Sequence, residues 1–148
     1  MKAPDAPASV EFRFWHPIEV RYSDLDPQRH VNHATYLTYM ETARARYIEH
    51  LGLWGGEDFD ELGMIVASAA CDYQRAIVYN QRVRVGVRTT RLGNKSLEMA
   101  YLLQDESTGE ELARGSTVMV AYDYVQERSK PIPQEWRDTI SEFEGRAQ

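Results

Sequence analysis

Between Tyr22 and Tyr36 the chain reads Tyr-Ser-Asp-Leu-Asp-Pro-Gln-Arg-His-Val-Asn-His-Ala-Thr-Tyr. Two carboxylates (Asp24, Asp26), two imidazoles (His30, His33) and the Asn32 amide fall within this one stretch. A carboxylate can act as a general base on water or attack a carbonyl directly, and an imidazole can orient water or assist a leaving group. The stretch lies where a strand pattern gives way to a helical one. Loops carried by a rigid scaffold hold a disproportionate share of chemistry. The first N–H groups of a helix are also free to bind an oxyanion. On residue types alone a plainer reading stays open, because Asp and Pro favour turns for local reasons and both histidines suit a helix start. Asp24, Asp26, His30 and His33 are all metal-ligand types, but their spacing matches no known zinc pattern, and no metal is expected.

The elements that must position this loop are legible from periodicity. Residues 12–22 alternate imperfectly, with Phe14, Ile18, Val20 and Tyr22 on one face, and predict a strand broken or bulged near Pro17. Residues 34–51 switch to helical spacing through Leu37, Met40, Ala43, Tyr47 and Leu51. Asn32 suits the N-cap and Gly52 the C-terminal stop. Glu41 and Arg44 are placed to pair on the exposed face of this helix. Residues 53–63 read as a loop or short helical turn. Their acidic cluster (Glu57, Asp58, Asp60, Glu61) is taken as a solvated connection. Strands are then expected over 64–73, 76–90, 96–104 and 112–124, with turns at 92–95 and 105–109. A terminal helix is expected over 133–143. One strand, a long helix, four strands in succession and a last helix make an α+β layer arrangement with an antiparallel sheet.

Composition limits the function classes. The chain has 148 residues, 43% hydrophobic and 27% charged, which fits one soluble domain with a real core. Its net charge of −6 argues against nucleic acid as a partner. No apolar run is long enough to span a membrane, so no membrane partner is expected. The start of the chain lacks the apolar run of a signal peptide, so the cytoplasm is the expected location. Residues 1–10 read as a flexible tail, and 11–148 as a single domain. Cys71 is the only cysteine, which rules out an intramolecular disulfide and reads as a small core residue.

The element order and the loop together resemble the hotdog fold, in which an antiparallel sheet, here of five strands, wraps around one long central helix. The loop is similar to that of the acyl-CoA thioesterase branch typified by 4-hydroxybenzoyl-CoA thioesterase. That branch has an aromatic residue, then Asp-x-Asp, then a stretch such as Gly-His-Val-Asn-Asn-Ala-x-Tyr leading into the helix. Here the pattern stands as Tyr22, Asp24-Leu25-Asp26 and His30-Val31-Asn32-His33-Ala34-Thr35-Tyr36. Two departures are visible: Gln28-Arg29 replace residues that are often small, and His33 replaces the second Asn. The resemblance implies hydrolysis of a CoA thioester to free acid and CoA, with CoA part of the substrate and no separate cofactor. It implies Asp26, His33 and Tyr22 as the catalytic constellation, with Tyr22 holding the Asp26 carboxylate or the substrate and Asp24 fixing the loop. Substrate contacts are implied for Asn32, Ala34, Thr35 and Tyr36 at the helix start, and for the hairpin residues Arg91, Gly93, Lys95 and Ser96. An acyl pocket is expected from Tyr39, Met40, Met64, Val66, Tyr73 and a second subunit. Hotdog subunits pair edge to edge, so a homodimer is expected, with two dimers able to stack into a homotetramer. A thioesterase acting on acyl carrier protein and a non-catalytic module that binds acyl-CoA are the competing readings.

Overall fold

The computed structural model describes residues 11–145, so the expected N-terminal tail lies outside the described residues. Strand β1 (Phe14–Glu19) leads through a 3-10 turn at Tyr22–Asp24 into the long helix α1 (His33–His50). A short helix α2 (Phe59–Leu62) precedes β2 (Met64–Tyr73), β3 (Arg82–Leu92), β4 (Ser96–Asp105) and β5 (Glu111–Asp123). The two-residue β6 (Arg128–Ser129) and helix α3 (Gln134–Glu144) follow. All pairings are antiparallel in the order β1-β3-β4-β5-β2, with β6 added on β5. The expected five strands thus form the main path, and β6 makes a sixth. Wrapped around α1, the sheet gives the hotdog architecture that the loop motif implied.

Alternation decides which face is buried. Val83, Val85 and Val87 of β3 and Leu97, Met99, Tyr101 and Leu103 of β4 point inward against Tyr36, Met40, Ala43 and Tyr47 of α1. Gly115 of β5 lets α1 approach closely, since a Cβ there would stand 2.5 Å from the end of Met40 and 3.0 Å from the Ala70 carbonyl. The buried stripe of α1 is rotated from the expected one. Leu37 is 38% exposed, and Tyr36 takes the inward place because its hydroxyl donates to the Arg75 carbonyl at 3.2 Å.

Several local expectations are corrected. Pro17 neither breaks nor bulges β1, which keeps register from Phe14 opposite Val87 to Glu19 opposite Arg82. β1 is an edge strand, so a missing N–H on its outer side disrupts no ladder bond. The strand expected from residue 76 begins at Arg82. The 76–81 stretch is a turn with Asn80 at φ 70° and with the Gln81 side chain accepting the Val78 amide. Arg44 is not on an exposed face: it is 9% exposed, donates to the Tyr101 hydroxyl at 3.3 Å and reaches Glu41 only at 3.8 Å. Cys71 is half-buried on the outermost strand, packed against the core rather than in it. Gly52 ends α1 as expected, at φ 74°.

Far from the loop, α3 is fastened by a buried cluster. One Glu144 carboxylate oxygen accepts the Tyr47 hydroxyl at 2.6 Å and the Thr89 amide at 3.0 Å.

Candidate active site

The loop between β1 and α1 is fixed from its first carboxylate. Asp24 is 3% exposed. It accepts the Arg21 amide at 2.9 Å, two guanidinium donors of Arg21 at 3.1 and 2.9 Å, and the Tyr39 hydroxyl at 2.7 Å. Burial alone would raise its pKa, but the donors from Arg21 and Tyr39 outweigh it and hold the carboxyl below the usual range. Burial, reinforced by Asp24 as acceptor, pushes the Tyr39 hydroxyl well above its ordinary value, so Tyr39 stays a neutral donor. The Asp24 carbonyl accepts the Asn32 amide at 2.9 Å, and a bridge between Leu25 and Val31 closes the loop base.

Asp26 sits on the small loop that this base supports. Its amide donates to the His30 carbonyl and its carbonyl accepts the Arg29 amide, both at 2.9 Å, with Arg29 at φ 66°. Carboxylate oxygen Oδ1 accepts the Gln28 amide at 2.9 Å, and no donor among the described residues reaches Oδ2. The side chain is half-buried and opens on a cleft of about 320 Å3, with His30, His33, Tyr36, Tyr73 and Arg75 in its walls.

Asn32 occupies the N-cap of α1, its side chain accepting the Ala34 amide and its carbonyl the Thr35 amide, each at 2.9 Å. Two of the helix-start amides that the motif offered for oxyanion binding are therefore already taken. His33, the first helical residue, has no intrahelical acceptor for its own N–H. Its side chain is exposed and stands edge-on to Tyr73, with ring centres 6.4 Å apart, while its carbonyl accepts the Tyr73 hydroxyl at 2.7 Å. Tyr73 packs edge-on to Tyr36 at 4.8 Å. Burial raises the hydroxyl pKa of both tyrosines, which keeps them protonated as donors.

The structure thus gathers Asp26, Asn32, His33 and Tyr36, and adds Tyr73 and Arg75 from the end of β2. Nothing in the loop motif signalled Arg75, since its place depends on where β2 turns. Arg75 pairs with Glu110 at 3.1 Å. Tyr22 is not brought to Asp26: it is 80% exposed and stacks edge-on to Tyr79 at 6.2 Å. The hairpin of Arg91, Gly93, Lys95 and Ser96 lies at the opposite end of the sheet. Tyr73 registers with Ala113 and that with Leu103, whereas Ser96 begins β4, roughly 25 Å away at about 3.3 Å per residue. There Arg137 donates to the Gly93 and Asn94 carbonyls, and Arg91 lies 3.9 Å from Glu98. Of the expected acyl-pocket residues, Tyr39 and Met40 are core and Tyr73 faces the Asp26 cleft. Met64 and Val66 line a separate apolar cavity. Among the described residues no group of three or more His, Cys, Asp or Glu is placed to hold a metal ion. No helix there is long and apolar enough to cross a membrane.

Proteins similar to this chain include several named as thioesterases. A crystal structure of a thioesterase from Thermus thermophilus, complexed with coenzyme A and Zn, superposes with a TM-score of 0.80 at 37% identity. The match covers 93% of this chain and 98% of that one. The Bacillus subtilis protein YsmA is 32% identical over 111 residues, 75% of this chain and 74% of that protein. The long-chain acyl-CoA thioesterase FadM of Escherichia coli is 23% identical over 126 residues, 85% of this chain and 96% of that protein. The family model described as the thioesterase-like superfamily matches residues 20–140, from the end of β1 into α3 and through the whole Asp26 loop. The chain belongs to the thioesterase-like superfamily.

Proposed function

We propose that the protein hydrolyses acyl-CoA thioesters and that Asp26 is the catalytic carboxylate. The observation that carries this reading is the Asp26 carboxylate: one oxygen is tethered to Gln28, the other meets no donor among the described residues, and the side chain lines the same cleft as His33, the first residue of α1. The Thermus relative named with coenzyme A and the FadM relative named for acyl-CoA support CoA as the carrier. In the reaction, oxygen adds to the thioester carbonyl carbon, the C–S bond breaks, and the thiolate leaves and takes up a proton. Asp26 either receives the proton of the attacking water or attacks the carbon itself, with water then hydrolysing the acyl-enzyme. The His33 N–H and the positive end of α1 polarise the carbonyl. The His33 imidazole orients water or attends the leaving sulfur.

The active unit in this reading is a dimer joined through β2. From Met64 to Cys71 this edge strand carries no charge and is largely exposed along its length. An uncharged edge of this length is a template for another strand. A two-fold axis across the middle of β2 sets the Tyr73 end of one subunit beside the Met64 end of the other. The hairpin of Arg91 and Lys95 then approaches the cleft of the second subunit, where CoA phosphates need cations.

The test is a panel of acyl-CoA thioesters of varied acyl group with detection of the released thiol. Wild type is expected to turn over part of the panel, and Asp26→Asn to lose about 100-fold or more with its circular dichroism unchanged. Tight binding of acyl-CoA without turnover by wild type would assign the chain to a binding module instead.

A further inference from the structure

Two cavities, the first predominantly apolar and the second of mixed lining, stand side by side at the Met64 end of β2, away from the Asp26 loop of the same chain. The first, about 390 Å3, opens on the sheet edge and is walled by Ile48, Trp54, Phe59, Val66 and Met119. The second, about 180 Å3, lies beneath α3 among Leu97, Ala121, Ile132 and Trp136. Leu62 and Met64 stand in the walls of both.

Three properties point to one kind of occupant. Protein interiors are close-packed, and voids well beyond the size of a water are few. The two here open to the surface and share Leu62 and Met64, so movement of that pair would join them. Met64 is 6% exposed, and an unbranched thioether re-packs more readily than a branched side chain, so the divider can yield. Charged groups stand in both walls: Arg44, on the first cavity, donates to the Tyr101 hydroxyl, and on the second Glu135 is exposed and Lys130 is half-buried, with an alkyl stem that can line the cavity while the ammonium reaches water. In the β2-joined dimer the mouth of the first cavity meets the Tyr73 end of the other subunit, beside which that subunit's Asp26 loop lies. A thioester carbonyl held there directs its acyl group into this mouth.

We infer that the two cavities are one channel for an unbranched hydrocarbon chain, divided by Leu62 and Met64, and that the chamber beneath α3 makes the enzyme selective for long-chain linear acyl groups. A ring or a branched acyl group fills the first chamber and stops at the divider. The inference rests on the thioesterase reading for the carrier of the chain, but the chamber can be tested separately. Ala121→Leu fills the second chamber from β5, and Ile132→Phe fills it from the segment after β6. In a series of straight-chain acyl-CoAs, either variant is expected to lower the long-to-short ratio of kcat/KM about tenfold, the effect of one or two methylenes left unburied. Non-hydrolysable acyl-CoA thioethers supply the second measurement. Long chains should perturb the emission of Trp136, identified by its loss in Trp136→Phe, and short chains should not. An unchanged ratio in both variants, or long-chain thioethers that bind without touching Trp136, overturns the channel. A Trp136 response from a protein that hydrolyses no thioester supports the channel and overturns the thioesterase reading alone.

Discussion

Asp24 and Asp26 are two residues apart and differ in nearly every physical respect. Asp24 is sunk under the loop with four donors on its oxygens, while Asp26 keeps one oxygen open to the cleft. Asp24→Asn should therefore cost stability, about 1.5–3 kcal/mol for hydrogen bonds to a charged group, and lower turnover far less than Asp26→Asn does. Its pH signature follows from the depressed pKa. The stabilisation is complete above the unfolded-state value of about 3.9 and is lost as pH falls through the lower folded-state value. Thermal melts from neutral pH into acid should show wild type losing its advantage over Asp24→Asn below about pH 4. Equal acid limbs would remove Asp24 from that role. For His33, replacement by Asn restores the residue usual in the motif. A modest loss of rate or a shifted pH–rate profile is expected, and complete inactivation of a folded His33→Asn would make His33 the principal base.

At the scale of elements, the best-read parts of the sequence were those with a local cause. Strand β2 has its predicted bounds, the 92–95 turn falls where Gly93 puts it, and the Asn32 cap and Gly52 stop hold α1 as expected. The parts that were not legible depend on partners distant in the chain. Pro17 is harmless only because β1 is at an edge, Arg44 is buried only because Tyr101 waits beneath it, and Tyr22 meets Tyr79 rather than Asp26. The loop motif offered the helix-start amides as an oxyanion site, and the Asn32 cap read from the same sequence is what occupies the Ala34 and Thr35 amides. The fastening of α3 by Glu144 has no local signal. Glu144→Ala leaves the Tyr47 hydroxyl and the Thr89 amide without this acceptor, and each buried donor left short costs about 1–3 kcal/mol. Chemical denaturation should show a loss of that size. A neutral result would mean that α3 is held by the packing of Trp136, Ile140 and Phe143 and by the Arg137 bonds to the Gly93 and Asn94 carbonyls.

At the scale of the whole molecule, the proposed dimer makes the sharpest demand. Ala69 lies near the middle of β2 and is exposed along the free edge. Ala69→Asp puts like charges across any two-fold axis there. It should yield a folded monomer by sedimentation, inactive even with Asp26 intact. A fully active monomer would refute both the β2 interface and the sharing of the site. Neutral substitution of Val125, which is exposed in the turn before β6, serves as the control that leaves assembly unchanged.

The strand order also dictates when each surface finds its partner as the chain folds. β3–β4, β4–β5 and the brief β5–β6 pairing join neighbours in sequence through short turns, while β1 pairs with β3 across the whole of α1, and β2 pairs with β5 across two intervening strands. Distant pairings carry a larger loop-closure cost and form later. The three-strand meander is therefore the expected nucleus, and pulsed hydrogen exchange should find its amides protected before those of β1 and β2. During synthesis β2 leaves the ribosome well before β5 exists to receive it. The same uncharged strand that suits a permanent partner is thus, for that interval, the segment most exposed to a wrong one. A charge placed there to break the dimer should also raise the yield of soluble chain at high expression.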